Sequence, residues 1–349
     1  MTDAMAGRRR RSTRLGARGA QGGYVLLFVV AALALMAFGV GRYAARVEIL
    51  QAEARQLLDE AQGRIRASNA LARTQYWLST RPMGFASSGF ADEAPLQMDG
   101  RLYRSAEGVL VQVLDDRALL SINAADRDLM MPVLMSLGAS ADEAARMVAV
   151  LQDYVDEDDL RRLNGAERAD YAELGLPPPA NSWFTDIREL RRLPVWRDKP
   201  ELLDRLMPWL GLRPERYLNP NTAPLPLLQA LWPRIGSEQW AIFDSLRRRQ
   251  PFVSVLAAKA ASGIPFDDEH YVCHVMATLR VRLWTEGLPQ ALEYNLSLLP
   301  EGPRAPWLVR SVALGPPLHP TDSPATPIEN LPVPSAATAI TEPVPTAAP

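Results

Sequence analysis

Residues 19–41 of the chain read GAQGGYVLLFVVAALALMAFGVG. The run holds no charged residue over 23 positions, and as a helix of about 35 Å it is long enough to cross a hydrocarbon core of about 30 Å. Six arginines lie before it, between Arg8 and Arg18, and such flanks stay on the cytoplasmic side. The sequence therefore predicts a retained, single-pass membrane helix, with residues from Arg42 onward translocated. A cleaved secretory signal is the alternative, but the run is too long for one and continues without a break into a helical pattern.

An amphipathic pattern follows the apolar run. Apolar residues recur at spacings of three and four, which predicts a helix continuous with the membrane segment. The stripe consists of Val47, Leu50, Ala54, Leu57, Ala61, Ile65, Ala72 and Tyr76. The helix should end near Thr80, because the residue before Pro82 disfavours helical backbone. We expect a sheet formed later in the chain to cover the stripe; a coiled-coil stalk is the alternative.

Strand-like segments lie on both sides of a helical block. They are residues 101–105, 109–114 and 118–122 before the block, and 271–284, 291–299 and 307–312 after it. Residues 123 to about 252 between them show helical periodicity punctuated by proline. This order predicts an α+β fold, in which the long N-terminal helix packs on an antiparallel sheet and a large all-helical insertion interrupts that sheet. The proline-rich C-terminal segment is predicted to be a disordered tail.

Composition narrows the classes of function. The 349 residues include three His and one Cys, so no intramolecular disulfide can form. Residues 1–22 hold six Arg and one Asp, a net +5, which leaves −7 on the rest of a chain whose total is −2. An acidic body argues against a broad nucleic-acid surface. The sequence has no phosphate-binding glycine loop and no clustered nucleophile, base and oxyanion donors, so it is predicted not to be an enzyme.

The helical block repeats itself with an offset of 98 residues. Asn123 aligns with Asn221 and Gly138 with Gly236, and apolar positions follow in register. Each copy is interpreted as an Asn helix cap, a helix, a glycine turn and a second helix, similar to helix-hairpin-helix or SAM-like units. Such hairpins can bind DNA through backbone amides, so a membrane-anchored DNA-binding receptor is the alternative function. The missing second hairpin glycine and the acidic body argue against it.

An acidic loop is the best candidate for a metal site. The cluster contains Asp153, Asp156, Asp158 and Asp159, with Glu167 downstream. Ca²⁺ takes about six to eight oxygen ligands, so we predict a structural calcium site with Asp153, Asp156, Asp158 and Glu167 as ligands. The spacing is not that of an EF-hand loop. A solvated acidic turn at a helix N-terminus is the alternative.

The segment from His270 to His274 contains two of the three His and the single Cys. On the predicted strand, Cys273 and His274 would point to opposite faces and could not pair. The sequence has no recognisable second cluster of ligands to complete a metal site. A packing role is therefore predicted for this segment.

The start of the apolar run is similar to a prepilin peptidase site. A basic leader ends in Gly22-Gly23 before the hydrophobic residue Tyr24. The predicted processing residues are Gly23 and Tyr24, although cleavage after Gly22 stays open. The fifth position of the mature chain would be Phe28, or Leu27 for the earlier cut, and not the glutamate of major pseudopilins.

Three further motifs occur in a fixed order. They are Leu151–Asp158 followed by Asn164–Glu167, which is similar to D-W-x-D-x-D…G-A-E with Tyr154 in place of Trp, then Thr185–Leu190, and then Leu218–Ala223 with Pro220 where Val is common. Together with the leader, these motifs resemble the type II secretion system protein K family, over about residues 8–312. Members of that family lack the glutamate noted above.

The resemblance implies a fold, a set of partners and a function. The implied fold is that of a minor pseudopilin, in the bacterial inner membrane with its C-terminal domain in the periplasm, processed by prepilin peptidase and N-methylated. The implied partners are the two smaller minor pseudopilins of a tip complex and the major pseudopilin. The implied function is protein export across the outer membrane and limitation of pseudopilus length. The resemblance also implies calcium in the acidic loop; no nucleic-acid partner is expected.

The predicted domains follow from this layout. They are a basic leader (1–23), the membrane and amphipathic helix (24–80), the first part of the sheet (81–122), the helical insertion (123–265), the second part of the sheet (266–315) and the proline-rich tail (316–349).

Overall fold

A computed structural model describes residues 22–318 and 328–333. Its helices are α1 (Gly22–Thr80), α2 (Arg127–Ser136), α3 (Ala141–Val155), α4 (Arg168–Glu173), α5 (Pro200–Leu206), α6 (Leu225–Leu231), α7 (Ser237–Arg249) and α8 (Val255–Ser262), with 3-10 helices at Asp116–Ala118, Ile187–Arg192 and Met207–Trp209. Its strands are β1 (Ser87–Ser88), β2 (Leu96–Gln97), β3 (Asp99–Arg104), β4 (Leu110–Asp115), β5 (Leu120–Ser121), β6 (Leu210–Gly211), β7 (Thr278–Trp284), β8 (Leu292–Leu298), β9 (Trp307–Leu314) and β10 (Glu329–Asn330). The chain divides after Glu60 into two units, which are described separately.

The first unit contains most of α1. Among the described residues, this is the one helix that is long and apolar enough to cross a membrane. Its large apolar side chains, such as Phe28 and Phe38, are exposed, as suits side chains that face lipid. The predicted helix that runs unbroken to Thr80 is confirmed. Most of the predicted basic leader, residues 1–21, lies outside the described residues.

In the second unit, the C-terminal part of α1 packs on a six-stranded sheet. The strands lie in the order β10-β3-β4-β7-β8-β9. Neighbours are antiparallel, except that β10 runs parallel to β3. Val111, Val113 and Val281 are completely buried in one cluster with Ala67 and Leu78 of α1. The predicted α+β fold, with a long helix on a sheet, is confirmed.

The predicted apolar stripe is wrong in its orientation. Ile65 and Tyr76 are 62% and 52% exposed, although a sheet of the same chain does cover the helix. The residues that face the sheet are Ala67, Ala70, Leu71, Trp77 and Leu78. An ideal Cβ at Gly63 would lie 2.8 Å from the carbonyl oxygen of Glu286. Small residues therefore allow a close approach of helix and sheet, and at 100° per residue the predicted stripe lies on the opposite face.

The predicted strands are confirmed with two exceptions. Residues 118–122 form only β5, which pairs with β6 outside the six-stranded sheet. The strand predicted to start at Tyr271 starts at Thr278. Its partner β4 ends at Asp115, opposite Leu279, and on the other side β8 pairs only as far as Thr278, opposite Ser297, with one further hydrogen bond from Leu298 to the Ala277 carbonyl.

Part of the predicted disordered tail is ordered. Glu329 and Asn330 pair with Tyr103 and Arg104, and Leu331 is buried in the sheet cluster. A single apolar side chain thus brings this segment to the sheet edge. Residues 319–327 and 334–349 of the tail lie outside the described residues.

Helices α2–α8 form a second core between β5 and β7. Both copies of the repeat form a pair of helices, α2 with α3 and α6 with α7. Helix α2 packs on α6 as well as on α3, and the apolar residues of both copies belong to one cluster. Leu129 and Val133 of the first copy, for example, share it with Leu227 and Phe243 of the second.

The prediction that the repeated asparagines cap helices is wrong. Asp126 caps α2, because its side chain accepts hydrogen bonds from the backbone of Asp128 and Leu129. The Asn123 side chain instead exchanges two hydrogen bonds with the backbone of Phe184. In the second copy, Asn221 does the same with Phe252. A side-chain amide can form the same pair of hydrogen bonds to a backbone residue as a neighbouring strand does, since it offers both a donor and an acceptor.

Candidate functional site

The Leu218–Ala223 motif lies at the junction of the sheet and the insertion. Asp115, at the end of β4, is buried and accepts hydrogen bonds from Asn219 Nδ2 (3.1 Å), Thr222 Oγ1 (2.9 Å) and the backbone N–H of Met276 (3.0 Å). Burial raises the pKa of Asp115 above its ordinary value. The motif therefore has a structural role, in which one carboxyl group joins β4, the second copy of the repeat and the segment that leads into β7.

The Thr185–Leu190 motif fixes the end of α3. Glu189 accepts hydrogen bonds from the backbone N–H groups of Thr185 (3.0 Å) and Asp186 (2.9 Å). Its other oxygen accepts a hydrogen bond from the Tyr154 hydroxyl at 3.0 Å. The ring of Tyr154 stacks on Phe184 with centroids 4.3 Å apart. These contacts hold the last turn of α3 directly before the acidic loop.

The predicted acidic loop, residues 153–167, joins α3 to α4. Asp153 is in the last turn of α3 with its side chain completely buried, and it accepts a hydrogen bond from Arg162 Nη1 at 2.9 Å. Arg162 also contacts Asp156. Gly165 packs directly against the Asp153 carboxylate, where any Cβ atom would collide with it. Desolvation raises the pKa of Asp153, although Arg162 acts in the opposite direction.

Glu167 is the least satisfied group of the loop. It is buried, and its side chain faces the backbone of Asp170 in a capping box at the start of α4, but among the described residues neither carboxylate oxygen has a hydrogen-bond partner of normal geometry. Desolvation, followed by repulsion from Asp153, Asp156, Asp159 and Asp158, raises its pKa to about 7. A buried carboxylate without donors is unstable when ionised unless a cation accompanies it.

Other oxygens in and around the acidic loop also lack hydrogen-bond partners among the described residues. They are Asp156 Oδ1, the Tyr171 hydroxyl and Asn181 Oδ1. Asn181 comes from a later part of the chain but contacts the acidic loop, since its Nδ2 donates to the Asp158 carbonyl and to Asp159 Oδ1. Of the predicted residues, Asp153 and Asp156 share the contact with Arg162, and Glu167 is near enough for their charges to raise its pKa, whereas the Asp158 side chain accepts a hydrogen bond from the backbone of Leu160 at the exposed end of the loop. An arrangement of carboxylate, amide and hydroxyl oxygens suits a hard cation.

The hairpins are poorly suited to DNA. In the first hairpin, the backbone N–H groups of Gly138 and Ala139 donate to carbonyls of α2, and that of Ser140 donates to Glu143 Oε2 at 3.0 Å. Amides that are already bonded cannot receive a phosphate. Glu143 also pairs with Lys199 at 2.7 Å, which lowers its pKa to about 2 and keeps a negative charge at the turn. The DNA-binding alternative is not supported.

The segment from His270 to His274 departs from its prediction in two ways. Cys273 and His274 lie before β7 rather than on it. Cys273 is buried, and desolvation raises its thiol pKa to about 12, which suits packing rather than reactivity. The expectation that no second set of ligands exists is wrong, because His270 lies beside Asp126 and Asp128. Sequence inspection missed this group because its members come from distant parts of the chain.

Comparisons with known proteins agree with the resemblance. A family model described as protein K of the type II secretion system matches residues 110–215. The Type II secretion system protein K of Pectobacterium carotovorum subsp. carotovorum is 33% identical over 106 residues, which are 29% of this chain and 32% of that protein. The chain thus matches about a third of the length of this curated relative.

A solved structure shares the fold. It is a chain of the crystal structure of the GspK-GspI-GspJ complex from the enterotoxigenic Escherichia coli type 2 secretion system. The match has a TM-score of 0.52 and 17% sequence identity, and it covers 77% of this chain and 99% of that one. The resemblance to the protein K family that the motifs predicted is confirmed.

Proposed function

We propose that this chain is a minor pseudopilin of the type II secretion system, which supports protein export across the outer membrane from the tip of the pseudopilus. One observation carries the proposal. A chain whose residues 110–215 match the protein K family model also has a membrane-length helix, and the C-terminal part of that helix packs on a sheet. The role is assembly rather than bond chemistry.

The assembly would use the exposed face of α1. Helices associate in a membrane through van der Waals contact, and apolar burial adds to this outside the membrane. The partners are the two smaller minor pseudopilins and then the major pseudopilin. The matched structure supports partners of this kind, because it is that of a GspK-GspI-GspJ complex.

The tip position is supported by the absence of acidic residues from the predicted membrane segment. Residues 19–41 contain no acidic residue. In major pseudopilins a glutamate near the mature start pairs with the N-terminus of the neighbouring subunit inside the membrane, where an unpaired charge is expensive. A subunit with Phe28 or Leu27 at that position has no group with which to hold a further subunit above it. The α2–α8 insertion would then cap the assembly and limit its length.

The proposed location is the inner membrane, with residues 1–23 cytoplasmic and the sheet and insertion in the periplasm. Prepilin peptidase would cut after Gly23, leave Tyr24 as the methylated N-terminus, and keep the membrane helix in place. The arginines before the helix support this orientation.

A structural Ca²⁺ ion in the acidic loop is part of the proposal. Within the part of the chain that the structure describes, five buried oxygens of Asp156, Glu167, Tyr171 and Asn181 lack hydrogen-bond partners, and Asp153 adds a buried carboxylate. These donors fit a hard cation, while Arg162 balances Asp153 and Asp156 in the ion's absence. When bound, the ion supplies charge neutralisation that fixes the loop between α3 and α4. No water needs to be activated there.

The first experiment is intact-mass and N-terminal peptide analysis of the protein from its native inner membrane. We expect a mature N-terminus at Tyr24, or at Gly23 for the earlier cut, carrying one methyl group. The same sample from cells without prepilin peptidase should retain Met1. A Gly23→Val change should block cleavage, whereas Ala20→Val, three residues earlier in the leader, should leave it intact.

Two outcomes would contradict the proposal. An uncut Met1 in cells with active peptidase would exclude pseudopilin processing. A cut beyond Ala44 would show an ordinary secreted protein. Either result would direct attention to the periplasmic part as a soluble or differently anchored binding protein.

A further inference from the structure

His270 is held between two groups of carboxylates. Its Nδ1 atom lies 2.9 Å from Asp267 Oδ1. Its Nε2 atom lies 3.8 Å from Asp126 Oδ1 and 3.9 Å from Asp128 Oδ2. The ligand atoms of His270, Asp126 and Asp128 all lie within 4.8 Å of one another.

The Asp267 contact determines which ring nitrogen is available. Asp267 Oδ1 also accepts the backbone N–H groups of Glu269 (3.0 Å) and His270 (2.9 Å), so the carboxylate is fixed in place. In the neutral imidazole this contact favours the tautomer with its proton on Nδ1, which leaves Nε2 on the side of Asp126 and Asp128. A carboxylate behind the imidazole is the usual support of a metal-binding histidine.

The two other candidate ligands differ in their exposure. The side chains of His270 and Asp126 are only 13% and 12% exposed, and Asp126 is fixed as the cap of α2. The Asp128 side chain is 81% exposed, which leaves the position open to an ion and to water. Arg216 approaches the other oxygen of Asp126, Oδ2, at 3.6 Å and Glu269 at 3.7 Å. Asp126 Oδ1 already accepts the two cap hydrogen bonds from the backbone of Asp128 (3.0 Å) and Leu129 (3.2 Å), so an ion would be bound there beside them.

We propose that His270, Asp126 and Asp128 bind a divalent transition-metal ion, with Zn²⁺ as the best fit. One imidazole nitrogen and two carboxylate oxygens form a ligand set of the borderline type, and water would complete a tetrahedron. Zinc bonds of about 2.0–2.2 Å place neighbouring ligand atoms about 3.4 Å apart. The two spacings from His270 Nε2, 3.8 and 3.9 Å, therefore need to contract by about half an ångström, and the spacing between the two carboxylate oxygens, which is within 4.8 Å, by about 1.4 Å at most.

The ion would have a structural role. Asp126 and Asp128 start α2, at the entry to the insertion, while His270 lies in the segment that leaves it. The His270 carbonyl already accepts the backbone N–H of Leu218 at 2.8 Å. A bound metal would thus join the beginning and the end of the helical insertion next to the start of the second repeat. This site is separate from the acidic loop, because it uses none of the loop residues.

The test is titration of the full-length protein in detergent with Co²⁺, followed by displacement with Zn²⁺. We expect one equivalent of Co²⁺ to bind with visible d–d bands but without a thiolate charge-transfer band, and Zn²⁺ to displace it and raise the unfolding temperature. His270→Ala should abolish binding. Asp128→Asn and Asp267→Asn should each weaken it by about ten- to a hundredfold, the first as a ligand and the second as a positioning residue.

Matched variants make the result specific. Asp268→Asn removes an exposed neighbouring carboxylate outside the group and should leave the affinity unchanged. Asp156→Asn in the acidic loop should also leave it unchanged. Because Asp128 is exposed and does not cap α2, its variant should fold even if the His270 variant does not.

Three results would overturn the site. Equal Co²⁺ affinity in the parent and in Asp128→Asn would show that the group is not the ligand set. A thiolate band would assign the ion to Cys273. Loss of binding in Asp156→Asn would place the ion in the acidic loop.

Discussion

At the residue scale, Glu167 links pH to stability. Its pKa is raised from an ordinary 4.5 to about 7 by desolvation and by neighbouring carboxylates. Ionisation of Glu167 in the folded protein lowers the free energy of unfolding. This loss is absent below pH 4.5, grows between pH 4.5 and 7, and is complete above pH 7. Without Ca²⁺, Glu167→Gln should therefore increase the free energy of unfolding at pH 8 by about 1–3 kcal/mol and have little effect at pH 4. Urea unfolding at the two pH values measures this.

Calcium should make the parent protein more stable than Glu167→Gln, which reverses the order of stability expected without the ion. At pH 8 Ca²⁺ should stabilise the parent and have a much smaller effect on Glu167→Gln, because the variant lacks a charged ligand. Glu173→Gln, at the exposed end of the same helix α4, serves as the control and should behave as the parent does. A parent whose stability is independent of both pH and Ca²⁺ would rule out this account of the loop.

At the element scale, Gly63 sets the distance between α1 and the sheet. A Cβ there would lie 2.8 Å from the Glu286 carbonyl oxygen and 3.3 Å from Leu288 Cγ. Arg66, one turn on, donates to the same carbonyl at 2.8 Å, so this backbone cannot withdraw without losing that bond. Gly63→Val should therefore reduce the free energy of unfolding by about 1–3 kcal/mol.

The measurement is denaturant unfolding of the detergent-solubilised protein, followed by tryptophan fluorescence, to which Trp77 of α1 contributes from its buried position against β1. Ala72→Val is the matched control, because Ala72 is an exposed position of the same helix. Its effect should stay within about 0.5 kcal/mol. Equal effects of the two variants would show that the close approach at Gly63 does not determine the result, because helix propensity alone would favour Gly63→Val and disfavour Ala72→Val.

The faces of α1 also show how far the sequence determines an element. Apolar spacing predicted the helix and its end near Thr80, since both depend on local residues. It selected Ile65 and Tyr76 for the core, whereas the sheet packs on Ala67 and Ala70. Hydrophobicity ranks large side chains above small ones, but close packing of helix on sheet favours the small ones, and only the tertiary structure decides between them.

The same limit applies to the sites. The acidic loop could be predicted because its carboxylates are close in sequence. Asn181 and Arg162 were missed because an amide from a later loop and an arginine within an acidic run follow no ligand spacing. His270 and Asp128 come from opposite ends of the insertion, and no local pattern joins them.

At the scale of the whole molecule, the second unit buries one face of its helix and leaves another apolar face uncovered. Ile65 and Tyr76 remain exposed while Ala67 and Trp77 are in the sheet core. Exposed apolar side chains aligned on one helix are typical of a surface that binds a partner. In the proposed tip assembly, the partner is the helix of another minor pseudopilin. The sheet and the partner would therefore contact different faces of α1.

Charge on the uncovered face should weaken assembly without unfolding the chain. Burial of a side chain such as Ile65 contributes about 1.5–3 kcal/mol, so Ile65→Glu or Tyr76→Glu should lower affinity for the minor pseudopilin partners by about ten- to a hundredfold. Co-purification of co-expressed subunits and secretion by the complemented strain measure this. Leu256→Glu, at an exposed leucine of α8, is the control and should assemble normally. Normal assembly of both Ile65→Glu and Tyr76→Glu would place the interface elsewhere. A loss of affinity is assigned to a lost contact with the partner only if the unfolding temperatures of the variants are unchanged.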